Sequence, residues 1–252
     1  MTPIWLLRVL ESEFETRAEQ HSEQGGEGLM RKGVLIVIIG LALIMATVLT
    51  GFSSTCASTG WFFNGGRKVV ANRGAALTIE TQNPYVVTGS SLFAWAMTCD
   101  QSAGQQNYAQ VGWAKMAGWS DPKYFYEYSS EVTNKWDRKW FATATSGSHN
   151  DYMVGNDSTT MYFKLNGTQL GTLALSDLQW TPSQVQFFGE TYDTSDQCPG
   201  SVSNPVTMGA AQYKNTSNTW VSAGVTEHHD LSTMSNNISY GATAWEIWDT
   251  RY

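Results

Sequence analysis

From residue 59 onward, apolar and polar positions alternate in short runs and do not recur every three or four residues. Alternation is the period of a half-buried strand, because successive side chains leave opposite faces. Runs rich in Val, Thr, Tyr, Phe and Trp, bounded by Gly, Asn, Asp and Ser, predict strands at 75–82, 92–99, 108–115, 124–129, 140–145 and 151–154. Further strands are expected at 160–165, 169–173, 185–192, 206–213, 220–225 and 244–248. Asn166-Gly167 is a two-residue hairpin signal, since both residue types tolerate positive φ. The stretches 150–158 and 226–237 read as exposed loops. A dozen strands without a helix predict an all-β fold, a two-sheet antiparallel β-sandwich of the jelly-roll or concanavalin-like kind.

The beginning of the chain follows a different pattern. Met30-Arg31-Lys32 precedes an uncharged apolar run at 33–52, and small residues follow up to Ser58. That layout predicts a signal peptide over 30–58, or an anchor if the run is retained in a membrane. Residues 1–29 are polar and acidic, and Gln24-Gly25-Gly26-Glu27 is encodable by a bacterial ribosome-binding sequence. They read as an upstream extension or a disordered tail, with translation starting at Met30 in a bacterium. A single domain is expected over 59–252, secreted or held on the outer face of the cell membrane, with membrane contact only through 33–52.

Charge narrows the choice of partners. The whole chain carries −7 and the 59–252 part carries −5, with no basic run, which excludes nucleic acid as an expected partner. Eleven Trp and eleven Tyr fit an extracellular β domain. In an oxidising compartment Cys99 and Cys198 are the expected disulfide, Cys56 lying at the signal boundary.

One strand face calls for a chemical explanation. On the strand at 185–192, Gln186, Phe188, Glu190 and Tyr192 share a face with Gln184, while Val185, Phe187, Gly189 and Thr191 point the other way. On the strand at 108–115, Tyr108, Gln110, Gly112 and Ala114 share a face, and Ala109, Val111 and Trp113 form the other. If Gln110 and Glu190 meet across one sheet, they make a carboxylate–amide pair able to hydrolyse an amide without metal or cofactor. Glu190 would take a proton from water, and the Gln110 N–H would stabilise the oxyanion.

Gln110-Val111-Gly112, then Tyr124-Phe125-Tyr126-Glu127-Tyr128, then Glu190 is similar in order and spacing to the fungal glutamic peptidases, the eqolisins. Gln110-Val111-Gly112-Trp113 and Gly189-Glu190 also resemble the plant neprosin domain, which has an acid where this chain has Gln110. The resemblance spans about 92–192. It implies a β-sandwich with Gln110 and Glu190 as catalytic pair, Tyr108, Trp113, Tyr126 and Glu127 as cleft lining, a polypeptide substrate and acid-active endopeptidase behaviour. The Glu190 strand lacks the Trp-rich eqolisin pattern, and no long propeptide follows the signal.

Two other readings use the same residues. Glu127, Glu190 and Glu246 lie in aromatic strands and could supply the paired acids of a jelly-roll glycosidase. Trp113, Trp119, Trp136 and Trp140 could form the platform of a non-catalytic, carbohydrate- or surface-binding module. His228-His229-Asp230 lacks the spaced companions of a metal site and reads as loop, and Asp193 with Asp196 makes a poor calcium pair. No metal or cofactor is expected.

Overall fold

The computed structural model describes residues 61–100 and 107–252, and over them the alternating runs pair into two antiparallel sheets. One sheet contains β1 (Phe62–Val69), β3 (Ser91–Cys99), β4 (Tyr108–Met116), β5 (Lys123–Ser130), β6 (Lys135–Thr143), β10 (Gln184–Thr191) and β13 (Thr226–His229). Their order is β13-β1-β10-β3-β4-β5-β6. The other contains β2 (Gly74–Glu80), β7 (His149–Asn156), β8 (Thr160–Leu165), β9 (Thr168–Ala174), β11 (Val206–Lys214), β14 (Met234–Asn236) and β15 (Trp245–Asp249). Its order is β14-β15-β11-β2-β7-β8-β9, with β12 (Trp220–Ser222) beside β11. Among the described residues, a 3₁₀ turn at Leu175–Asp177 is the helical element, and no helix is long and apolar enough to cross a membrane. The segments 1–29 and 30–58 lie outside the described residues.

The inward halves of the alternating strands fill the space between the sheets. Ala94, Ala96, Val111, Trp113, Val185 and Phe187 from the first sheet join Leu77, Ile79, Tyr152, Val154, Phe163 and Ile247 from the second. The outer face of the first sheet is also closed over, by Phe63, Phe93, Trp95, Met97, Phe125 and Phe188. A sheet with one dry face needs only one apolar set; this sheet has two, and the site lies on the second.

Three strands were not expected. β1 contains Gly65-Gly66 in its middle, which weakens the strand signal. A Cβ at Gly65 would stand 2.2 Å from Phe187 O, and one at Gly66 2.5 Å from a Val225 methyl, so close packing excludes side chains there. β13 and β14 fall inside the expected 226–237 loop. β13 is a polar edge strand, held by the Asn64↔His229 to Arg67↔Thr226 register with β1, and tertiary pairing overrides its polar composition. Likewise 150–156, read partly as loop, completes β7.

The Asn166-Gly167 hairpin joins β8 to β9 as expected, with φ of 49° and 79°. No heavy atom lies within 4 Å of a Cβ built on Gly167, so Gly167→Ala tests backbone conformation alone. It is expected to cost about 1 kcal/mol, a fall in Tm of roughly 2–4 °C for a domain of this size. An unchanged melting curve would show that this turn tolerates an L-residue.

The expected Cys99–Cys198 bridge is not formed. Cys198 is a free thiol, 1% exposed, and burial pushes its pKa up, with the nearby Asp249 charge acting in the same direction. Cys99 is disulfide-bonded, and its partner lies outside the described residues. The register explains the correction. Cys99 stands opposite Gln184 at one end of β10, whereas Cys198 follows Thr191 at the other end. The chain then folds back so that Pro199 lies against Gly189, five residues along β10 from Gln184, which leaves about 17 Å between the cysteines against the ~4.4–6.8 Å between Cα atoms that a disulfide spans.

Candidate active site

The outer face of the first sheet is built in rows, because residues paired across antiparallel strands share a face. One row runs Gln186–Met97–Gln110–Glu127–Arg138 across β10, β3, β4, β5 and β6. A second runs Phe188–Trp95–Gly112–Phe125–Trp140, and a third begins Glu190–Phe93–Ala114. Gln110 and Glu190 are thus on one face of one sheet, separated by β3 and by a four-residue step along it. Between them is a cavity of about 210 Å³ lined by Trp61, Phe93, Met97, Tyr108, Gln110, Glu127, Trp136, Arg138 and Glu190. At ~30 Å³ per water, that is room for a peptide group and a water molecule.

Glu190 is 8% exposed and accepts a hydrogen bond from Trp95 Nε1. Burial raises its pKa to about 8; the Trp95 bond opposes the rise, the Glu127 charge adds to it and Arg138 opposes it. Glu127, 1% exposed, is held on every side. Its Oε1 accepts from Tyr108 OH at 2.8 Å and Trp136 Nε1 at 2.7 Å. Its Oε2 accepts from Gln110 Nε2 at 3.0 Å and Arg138 Nε at 2.8 Å, with Arg138 Nη2 also at 2.8 Å. The Arg138 guanidinium lies 4.9, 5.6 and 5.4 Å from the ring centroids of Phe93, Trp136 and Trp140. That aromatic bed is weakly polar, so the cation keeps a favourable environment while out of bulk water. Tyr108 is driven further from ionisation by burial and then by the Glu127 charge.

Of the six residues expected in the site, Gln110, Glu190, Tyr108 and Glu127 line the cavity. Trp113 and Tyr126 do not. Trp113 is buried between the sheets and donates to Glu80 O at 3.1 Å. Tyr126 stacks on Phe163 of the second sheet, centroids 4.3 Å apart. Both corrections follow from alternation: Trp113 is three positions from Gln110 and Tyr126 one from Glu127, odd steps that change face. Trp95 and Arg138 are site residues that sequence reading missed. Arg138 does alternate with Trp136 and Trp140 on β6, and that Trp-x-Arg-x-Trp pattern was the available signal.

The remaining candidates are accounted for elsewhere. Glu246 lies on β15 of the other sheet and accepts from Asn237 Nδ2 at 3.1 Å. The paired acids of the glycosidase reading therefore reduce to Glu127 and Glu190, and both Glu127 oxygens are occupied. His228 Nε2 lies 2.9 Å from Asp230 Oδ1, and Asp230 Oδ2 accepts the Phe63 N–H at 2.8 Å. Asp196 is buried and takes hydrogen bonds from Ser90, Thr191 and the Val87 N–H, so it pins a turn. Among the described residues no group of three or more His, Cys, Asp or Glu is placed to hold a metal. Of the four candidate platform tryptophans, Trp113 is core, whereas Trp136 is 59% exposed at the cavity wall.

The sandwich is similar to scytalido-glutamic peptidase, solved with a peptide-based transition-state analogue: TM-score 0.56 at 12% identity, covering 75% of this chain and 98% of that one. A second structure of that peptidase, with a transition-state analogue inhibitor, gives 0.56 at 13% identity over the same shares. SCP-B, an eqolisin-family peptidase in complex with the tripeptide Ala-Ile-His, gives 0.55 at 12% identity, again over 75% and 98%. The chain therefore has a glutamic-peptidase-like fold. No protein-family model and no curated protein matches its sequence.

Proposed function

We propose that the protein is a hydrolase of peptide bonds outside the cytoplasm, secreted or surface-anchored, with Glu190 as general base and Gln110 as oxyanion stabiliser. The observation that carries this reading is the shared cavity, in which a buried carboxylate and a fixed side-chain amide face the same small space. Glu190 takes a proton from water as the water oxygen bonds to the scissile carbonyl carbon. The carbonyl electron pair moves onto oxygen, where a Gln110 N–H meets the developing charge. Collapse re-forms the C=O bond and breaks the C–N bond, and Glu190 returns its proton to the leaving amine. Burial around the cavity strengthens each of these interactions by excluding water.

The acid-active behaviour implied by the resemblance and the raised pKa of Glu190 predict different pH optima. A general base must be ionised, and Glu190 gains its charge only as pH approaches about 8. The working range is therefore neutral to mildly alkaline. The test is digestion of a denatured protein from pH 3 to 9 by the full-length chain and its Glu190→Gln variant. Cleavage by the first and not the second supports the reading. No cleavage by the folded wild type at any pH removes it, and glycan binding at Trp136 becomes the next assay.

A further inference from the structure

We propose that Glu127 is a positioning residue that fixes which way round the Gln110 amide sits, and so decides which of its atoms meets the substrate. This rests on the reading of Gln110 as part of the working pair. A glutamine side chain has a donor end and an acceptor end of almost equal shape, and a neighbour must discriminate for one orientation to prevail. Glu127 does so. Four other side chains converge on it as donors, and Gln110 Nε2 is one of them. Turning the amide over would set Oε1 against Glu127 Oε2, two acceptors in contact at a site closed to solvent, with the loss of a charge-assisted bond.

The discriminating group is itself immobile. Tyr108 and Trp136 hold one oxygen and Arg138 the other, so Glu127 cannot swing to accommodate a turned amide. The arrangement leaves one atom unexplained. Gln110 Oε1 is buried and, among the described residues, has no hydrogen-bond partner, although Gln110 lines the cavity. Buried acceptors are satisfied in nearly every native structure, so Oε1 is reserved for a donor that enters with the reaction. The entering donor is the attacking water, whose second O–H points to Oε1 while Glu190 takes the first proton. The Gln110 N–H not used by Glu127 is left for the oxyanion. One side chain thus supplies an acceptor to the nucleophile and a donor to the product of its attack, and both roles require the orientation that Glu127 selects.

Removing Glu127 alone strands the Arg138 charge in a buried site, which risks unfolding. The experiment therefore pairs Glu127→Gln with the double variant Glu127→Gln/Arg138→Met, in the full-length chain, with folding checked by near-ultraviolet circular dichroism. The first readout is turnover of a peptide substrate: kcat is expected to fall about tenfold or more while KM stays within threefold, with partial recovery in Glu127→Asp. The second is independent of turnover. The Gln110 side-chain amide, assigned by its disappearance in Gln110→Met, is expected to give one strongly low-field N–H resonance in the ¹⁵N-correlated spectrum, lost in the double variant. A resonance that is absent from the wild type, or unmoved in the folded double variant, overturns the proposal. So does a kcat retained within threefold when the resonance is lost. If the wild type cleaves nothing, the hydrolase reading falls, and the resonance still decides whether Glu127 fixes the amide.

Discussion

Glu190→Gln is expected to abolish peptide cleavage and, above about pH 6, to melt at a higher temperature than the wild type. The two effects share one cause. Burial holds the Glu190 pKa near 8 in the folded protein, against 4.5 for a free glutamate. Between those values the folded state keeps a proton that the unfolded chain has released, so stability falls as pH rises. The contribution is fully present below pH 4.5 and is lost as pH passes through 8. Its size is on the order of a few kcal/mol at most. Glutamine does not titrate and can still accept the Trp95 Nε1–H, so the variant avoids the loss. The melting temperatures should coincide near pH 4 and diverge steadily to about pH 8. Turnover moves in the opposite sense. Wild-type kcat/KM should rise about tenfold per pH unit up to 8, and the variant should lose on the order of 10²–10⁴ throughout. Parallel melting curves at every pH, or a wild-type optimum below pH 5, would exclude Glu190 as a buried base.

The largest purely structural effect is expected at Gly112. This residue lies between Gln110 and Ala114 on the site face of β4, opposite Trp95. A Cβ there would stand 2.0 Å from Ala94 O, 2.8 Å from Trp95 Cα and 2.9 Å from Ala94 C. All three atoms are backbone in a central strand and cannot move aside singly. Gly112→Ala therefore forces β3 and β4 apart beneath the Trp95 ring, at a cost of about 3 kcal/mol or more, a fall in Tm of roughly 6–12 °C. Gly209→Ala is the matched control: it is also a strand glycine, with nothing within 4 Å of the added methyl and no positive φ. A Gly112→Ala protein that melts within 2 °C of the wild type would mean that the two strands yield. Because Trp95 donates to Glu190, the variant should also lose activity out of proportion to the fraction unfolded.

Much of this site was legible from period-two alternation. The faces of the Gln110 and Glu190 strands were assigned correctly from sequence, and both side chains reach one cavity. The same rule places Trp113 on the core face, away from the cleft position expected for it. Tyr126 is a subtler case. Its aromatic neighbours on β5 make the run look uniformly suited to a cleft, and only the register with β4 tells which of them faces out. What alternation cannot carry is lateral order. That Arg138 arrives next to Glu127, or that Cys198 ends out of reach of Cys99, depends on which strands pair and in which direction. β1 and β13 were missed for a related reason, since the glycine-rich β1 is a strand because β10 pairs along its whole length, and the polar β13 because β1 lies beside it.

The placement of β3 has a further consequence. The strands that carry Gln110 and Glu190 do not pair with each other; what sets the two in register is β3 between them, through the pairing of Phe93 with Glu190 and of Met97 with Gln110. A slip of two residues between β3 and either neighbour would leave inward residues inward and outward residues outward, since the pleat repeats every two. Such a molecule would keep its sheets and the sorting of its two faces, yet shift the acid by one row relative to the amide. For this architecture, being folded and being competent are separable properties. A preparation judged by spectroscopy alone could be entirely native in shape and silent in chemistry.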